Sequence, residues 1–455
     1  MAIKDNTESY RFQLYNTNRP VSIAPLITFR IVFGLLMFVS LVRFWWRGWI
    51  EAVYLQPSFH FTYMGFGWVQ PLSAVWMYLV FGLVVLSALF ITAGIFYRVA
   101  AVVFFLGFTY LELIDVTTYL NHYYFISLVA FIMIWLPANR DYSIDALIKP
   151  SLRRNLVPSW TIDILKFQLA IVYIFAGLAK LNTDWLIHAE PMKTWLPAKS
   201  HLPLVGQYMY EEWVAYLFSW FGAFYDCFIV FFLLYRPTRP FAYAAVLTFH
   251  IATAIFFPGI GLFPYVMIVA TLIFFSASFH NRLLGLLPFY NRRQSSAWET
   301  PYTYSYKNAI TIALIVYAFF QLIIPVRFLF YPGNLFWGEE GYRFSWRVML
   351  MEKAGVAYFT VKDSGHIRFT TIDNTAYLTP LQEKMMSTQP DMILKYAHYL
   401  RDKFKQRGWQ NPEVYVEVYV TLNGSRSRLF IDSTVDLAAQ PLSWHHYNWI
   451  LPFKQ

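Results

Sequence analysis

Four ionisable side chains, Asp115, His122, Lys180 and His250, stand within or at the ends of strongly apolar runs. Asp115 and His122 fall in LIDVTTYLNHYYF, Lys180 in IVYIFAGLAKLNTDW, and His250 in TFHIATAIFF. Ionisable groups at membrane depth are costly, which marks each as a functional position. An amine partly buried in apolar surroundings holds its proton less firmly and becomes a usable base, so the chemistry these types suit is proton abstraction. Each also has a structural reading. A lysine at a span end snorkels to the interface, His122 anchors among tyrosines, Asp115 caps or pairs, and His250 packs with a hydrogen bond. Other chemistries lack their motifs: there is no HExxH, P-loop, GxGxxG after a strand or GxSxG elbow. The single cysteine, Cys227, allows no intrachain disulfide or zinc ribbon and reads as a small apolar core residue.

The elements that must position these groups are set by composition. Hydrophobic residues make up 58% of the 455, aromatic residues 21% and charged residues 14%, which describes a chain dissolved in lipid. The net charge of +10 would suit nucleic acid only if the basic residues formed a patch; they are spread between apolar runs, so no nucleic acid partner is expected. Apolar stretches near the length of a bilayer crossing predict spans at 22–42, 74–96, 99–115, 122–137, 160–179, 213–235, 239–257, 261–279 and 308–330. The third and fourth are short and interrupted by Glu112, Asp115 and His122. The polar first 21 residues contain no signal-peptide core, so the first span is expected to serve as its own insertion signal.

Cytoplasmic loops retain Lys and Arg. With the N-terminus inside, the inner segments hold fourteen (Lys4, Arg11, Arg19, Arg98, Arg140, Lys149, Arg153, Arg154, Arg236, Arg239, Arg282, Arg292, Arg293, Lys307), and the outer loops hold five (Arg43, Arg47, Lys180, Lys193, Lys199). That bias predicts a cytoplasmic N-terminus, and nine spans then put the C-terminus outside. It also places Asp115, His122, Lys180 and His250 near the outer face. From about residue 331, VAYFTVK, HIRFTTID and EVYVEVYVTLNG alternate like half-exposed strands, with an amphipathic helix or helix pair between them, interrupted at Pro390 and stopped by Gly408. The expectation is a polytopic α-helical membrane protein of about nine transmembrane helices, a transmembrane domain at 1–330 and an extramembrane α+β domain at 331–455.

Several of these segments, taken in order, closely resemble the vitamin K-dependent gamma-glutamyl carboxylase family: WMYLVFGLVVLSALFITAGIFYRVAAVVFF, LIDVTTYLNHYYF, IVYIFAGLAKLNTDW, FHIATAIFFPGIGLFPYVM, GYRFSWRVML and, further on, YVEVYVTLNG. The resemblance runs from about residue 20 to about 453. It implies an enzyme that draws energy from oxygenating a hydroquinone, vitamin K or a menaquinol, to remove a glutamate γ-hydrogen and fix CO2, with O2 and CO2 as co-substrates and no metal. Lys180 matches the family's base in AGxxKLxxDW, and His122 the histidine that orients or stabilises the quinone oxyanion. Asp115 would hold that histidine or tune local charge. His250 matches an FH histidine, although the polar residues that usually follow are replaced by IATAIFF. Tyr342, Ser345, Trp346 and Met349 match the segment that holds the glutamate-bearing chain. The implied partners are a glutamate-containing peptide or protein, a quinone and membrane lipid. The animal enzymes have a longer C-terminal region and a disulfide, so the resemblance points to a prokaryotic-type homologue with another peptide substrate. Two readings stay beside it: a quinol epoxidase without carboxylation, and a transporter or quinone-binding scaffold in which Lys180 and His122 only pair.

Overall fold

Within lipid, a segment must satisfy its own backbone hydrogen bonds, so apolar runs become helices. The computed structural model describes residues 17–287, 300–364 and 368–453. Its long helices are α1 (Ala24–Trp46), α2 (Ala74–Ala93), α3 (Tyr97–Ile114), α4 (Asn121–Trp135), α5 (Trp160–Ala179), α6 (Glu212–Leu234), α7 (Arg239–Phe256), α8 (Phe263–Thr271), α9 (Ala277–Gly285) and α10 (Lys307–Val326). Seven of these, α1 to α3, α5 to α7 and α10, are long and apolar enough to cross a bilayer.

Two of the nine expected spans take another form. With 15 residues, α4 is about 22 Å long, short of an apolar core of about 30 Å. The stretch expected as one span at 261–279 is broken: α8 runs on through a tight turn to Phe274, and the chain then bends by 116° into α9. Ser278, His280, Asn281 and Arg282, after the N-cap Ser276, make α9 too polar for the middle of a bilayer, and the bend follows from that.

Contacts sort the helix ends into two sets. Asp145 accepts from the backbone N–H groups of Phe96 (2.8 Å) and Tyr97 (3.0 Å) at the start of α3, and the Tyr97 hydroxyl donates to the Met133 carbonyl near the end of α4 (2.7 Å). Strand β1 (Pro20–Ser22), ahead of α1, pairs with β2 (Leu156–Pro158), ahead of α5. Tyr302, ahead of α10, donates to the Leu156 carbonyl (2.9 Å). Arg98 donates to the Ile134 carbonyl and Arg140 lies over the Tyr302 ring, so these expected inner arginines share this end. Lys4, Arg11, Arg292 and Arg293, counted with them, lie outside the described residues. Lys180 follows the last residue of α5, at the opposite end.

The C-terminal part sits on that opposite end. Strands β3 (Lys353–Asp363), β4 (Arg368–Thr371), β5 (Pro412–Leu422) and β6 (Arg428–Leu429) form an antiparallel sheet in the order β4-β3-β5-β6. His366 and Ile367, expected at the start of the second strand, lie outside the described residues. Alternation in β5 points Val414, Val416, Val418 and Val420 inward, against α12 (Pro390–Gln406), while the preceding helix α11 (Pro380–Met386) lies against β3. Thr379 and Gln382 form a capping box at the start of α11. The Gln382 amide also donates to the Phe59 carbonyl (2.7 Å) and to Asp115 Oδ2 (2.9 Å), while Asn423 donates to Asp184 (2.8 Å). These bonds join the sheet-bearing part to the bundle.

Arg343 grips Asp391 at the start of α12 through two bonds of 2.7 and 3.1 Å. Burial opposes the carboxylate's charge, but the guanidinium outweighs it and holds the Asp391 carboxyl below its ordinary range. A depressed folded-state pKa gives stability that is present above the unfolded value and lost as pH falls through the folded one. Thermal stability should therefore decline below about pH 4, and Asp391→Asn should flatten that acid limb. An unchanged limb, followed by tryptophan fluorescence, would exclude this pair as its source.

Candidate active site

Glycine creates the first part of the site. A Cβ at Gly177 would lie 2.6 Å from the Cys227 backbone nitrogen and 2.9 Å from the Asp226 carbonyl carbon. The bare position lets α5 and α6 approach closely here. Three residues on, Lys180 turns its Nζ to Asp226 Oδ2 at 2.6 Å, with the Ala176 carbonyl at 3.3 Å. Both side chains are buried, at 7 and 8% exposure, so each charge depends on the other. The Trp185 ring centroid lies 5.3 Å from Nζ, and the indole is fixed by donating to the Ser219 carbonyl (2.7 Å).

The pair opens into a cavity of about 340 Å³ with walls such as Val172, Leu217, Phe218, Phe249 and Met267. Lys180 and Asp226 are its only charged lining residues among those described. Deeper in the bundle, His250 Nε2 meets the Tyr173 hydroxyl at 3.2 Å, and that hydroxyl meets Thr271 Oγ1 at 3.3 Å. Tyr173 borders the cavity and His250 stands behind it, its Nδ1 without a partner among the described residues.

A second cavity, of about 890 Å³, lies under the sheet-bearing part and shares Phe257, Ile260, Phe263, Val348 and Met349 with the first. His122 lines it, buried, with Nε2 unpartnered among the described residues. The Phe263 ring lies between the two histidines, 6.1 Å from His122 and 5.7 Å from His250. Arg343, Arg347 and Lys353 also line this cavity. Lys353 is held by Glu339 at 2.9 Å. Arg347 has no ion pair or side-chain hydrogen bond among the described residues, and burial without a counter-charge pulls its pKa down to about 10.

The expected residues therefore divide. Lys180, His122, Tyr342 and Met349 line one or other of the two adjoining cavities. Asp115 does not hold His122: one oxygen takes the Thr117 amide (2.9 Å) and hydroxyl (2.7 Å), the other takes Gln382. It is a docking residue, because its place at the end of α3 puts it under α11. Ser345 donates to the Gly341 and Tyr342 carbonyls, and Trp346 stacks on Tyr124 at 5.0 Å; both turn from the cavity into packing. Their segment is wound tightly, with positive φ at Glu339, Phe344, Trp346 and Met349. Such conformations cost about 1–3 kcal/mol each and persist where surrounding contacts impose them. Asn121 supplies some of those contacts by donating to the Arg347 carbonyl (2.9 Å), while the Tyr119 hydroxyl accepts from the Phe344 amide (2.8 Å).

Comparison with known families decides the context. Residues 18–279 match the HTTM domain, and residues 306–455 match the vitamin K-dependent gamma-carboxylase lumenal domain. The chain belongs to the vitamin K-dependent gamma-glutamyl carboxylase family. In this carboxylase-family chain the sheet lies in the lumenal-domain match, and the cavities lie where that match meets the membrane helices. No solved structure shows a significant match to the chain. The sequence reading missed Asp226, which stood beside Cys227 in FYDCFIV. The signal was available: it is an ionisable residue in the middle of an apolar run.

Proposed function

We propose that this protein carboxylates glutamate side chains of a peptide or protein at the γ-carbon, using a reduced quinone, O2 and CO2. The observation that carries this reading is the Lys180–Asp226 pair at the edge of an apolar cavity that adjoins a polar, basic one. A volume of about 340 Å³ falls in the ordinary range for small-molecule sites, and apolar walls with one amine suit a ring that carries a hydroxyl. When bound and oxygenated, the quinone supplies the base strength that no side chain has for removing a glutamate γ-hydrogen. Lys180 Nζ takes the hydroxyl proton. The aromatic walls exclude water, which would quench a strong base. His122 Nε2, without a partner among the described residues, orients an oxygen at the border of the two cavities. On the polar side, the Arg347 guanidinium, stacked 4.3 Å over the Phe328 ring and without a carboxylate partner among the described residues, favours a carboxylate-bearing ligand, and Tyr342 and Met349 shape its seat. The proposed orientation has the N-terminus in the cytoplasm of a bacterial cell and the C-terminal domain, residues 331–455, in the periplasm.

The test uses purified full-length protein with reduced vitamin K or menaquinol, labelled bicarbonate and glutamate-containing peptides. Label on glutamate together with quinone epoxide is the expected result, with glutamine peptides inert. Epoxide without label across a broad peptide set would select the epoxidase reading, and neither product would overturn the enzyme reading.

A further inference from the structure

We propose that Asp226 is the final proton acceptor of the site, with Lys180 acting as the relay between the substrate hydroxyl and the carboxylate. The inference rests on the carboxylase reading and extends it to a residue outside the expected set. Its ground is geometric. Nζ and Oδ2 are 2.6 Å apart, both side chains are buried, and no other charged side chain lines the cavity among the described residues. The other titratable groups near the pair are Tyr173 on α5, Tyr225 and Cys227 on α6, and His250 on α7 behind Tyr173. None of these brings a second carboxylate or amine.

An ion-paired lysine is already protonated and cannot accept a proton from a bound hydroxyl. Transfer becomes possible if the shared proton passes to Asp226 as the hydroxyl proton arrives. The substrate O–H bond breaks and an N–H bond forms at Nζ. Another N–H bond of the same nitrogen breaks, and an O–H bond forms at Asp226 Oδ2. Lys180 ends as it began, an ammonium, while its counter-anion changes from Asp226 to the deprotonated hydroxyl. The net charge of the cavity stays at zero throughout, which matters in a low-dielectric site where an isolated charge is strongly disfavoured.

Asp226→Asn keeps the size and an accepting oxygen but removes the charge. Without its counter-ion, a buried lysine sheds its proton. At neutral pH Lys180 should then react with a membrane-permeant acylating reagent at least about tenfold faster than in wild type, one pKa unit being about 1.4 kcal/mol, as read by mass spectrometry. Asp226→Glu should restore slow labelling. Epoxidation kcat in the Asn variant should become pH-dependent, falling by about 10²-fold or more towards low pH, where Lys180 is protonated with no acceptor behind it, while KM for the quinol is little changed and the Glu variant regains the wild-type profile. Equal labelling rates together with an unchanged pH profile of kcat overturn the proposal. If the Asn variant does not fold, wild type still decides. With isotope-labelled aspartate, adding hydroquinone under nitrogen should raise a protonated-carboxyl infrared band, and absence of that band overturns the proposal. An active wild type with an indifferent Asn variant defeats this proposal alone, whereas an inactive wild type defeats the carboxylase reading.

Discussion

Lys180→Met should lower epoxidation and carboxylation together by about 10²–10⁴-fold, the range expected for loss of a positioned general base. Methionine keeps most of the volume against Trp185 but leaves Asp226 as an unpaired buried charge, a change that costs about 3–5 kcal/mol when one partner is removed. The single variant is therefore also expected to be less stable in thermal unfolding. The double variant, Lys180→Met with Asp226→Asn, removes both charges and should recover most of that stability while remaining inactive. Recovery of activity in the double variant would show that the lysine serves packing and that another group is the base. Loss of carboxylation with epoxidation intact would move the lysine's role from the quinol to the glutamate.

Gly177→Val should have the second large effect, through distance alone. The new Cβ meets backbone atoms of Asp226 and Cys227 at 2.9 and 2.6 Å, and backbone cannot rotate aside as a side chain does. The two helices must part. Overpacking of this kind costs on the order of 1–3 kcal/mol, and it opens the Lys180–Asp226 contact three residues away. Activity should fall by at least about 10²-fold, since an ångström of misplacement at a reacting group has that consequence. Gly82→Ala is the matched control. Its Cβ meets only the Trp45 ring at 3.5 Å, an ordinary contact, so stability and activity should stay close to wild type. Equal behaviour of the two variants would remove the close approach from the account of the site.

Much of this architecture was legible in the chain because lipid imposes a simple rule on apolar runs, and strand alternation shows wherever one face is buried. The helix break at Pro390 and the stop at Gly408, whose φ is +83°, were readable for the same local reason. Elements that failed to follow the reading did so for identifiable causes. The run at 261–279 is apolar on average, and the average conceals Ser276 and Ser278, while Arg282, just beyond the run, adds to the polarity that turns α9 aside. Asp115 lies at the expected end of its helix, but its partner Gln382 is 267 positions away, and no local pattern encodes that meeting. Lys180 was conspicuous as a cation, while its anion lay inside a segment noticed only for its cysteine. Ser345 and Trp346 match a family segment, yet left-handed backbone at Phe344, Trp346 and Met349 decides which side chains face the cavity. Non-glycine residues give no sign of such a conformation in advance.

The wall of Phe257, Ile260, Phe263, Val348 and Met349 that the two cavities share behaves as a counter between two markets. Goods that dissolve only in fat arrive on one side and goods that dissolve only in water on the other, and neither customer crosses the room. In the proposed reaction the two substrates then need no fixed order of arrival, and each product departs by the way its reactant came. Traffic on one side can stall while the other remains open, so an excess of one spent product should inhibit competitively against its own precursor and only non-competitively against the other.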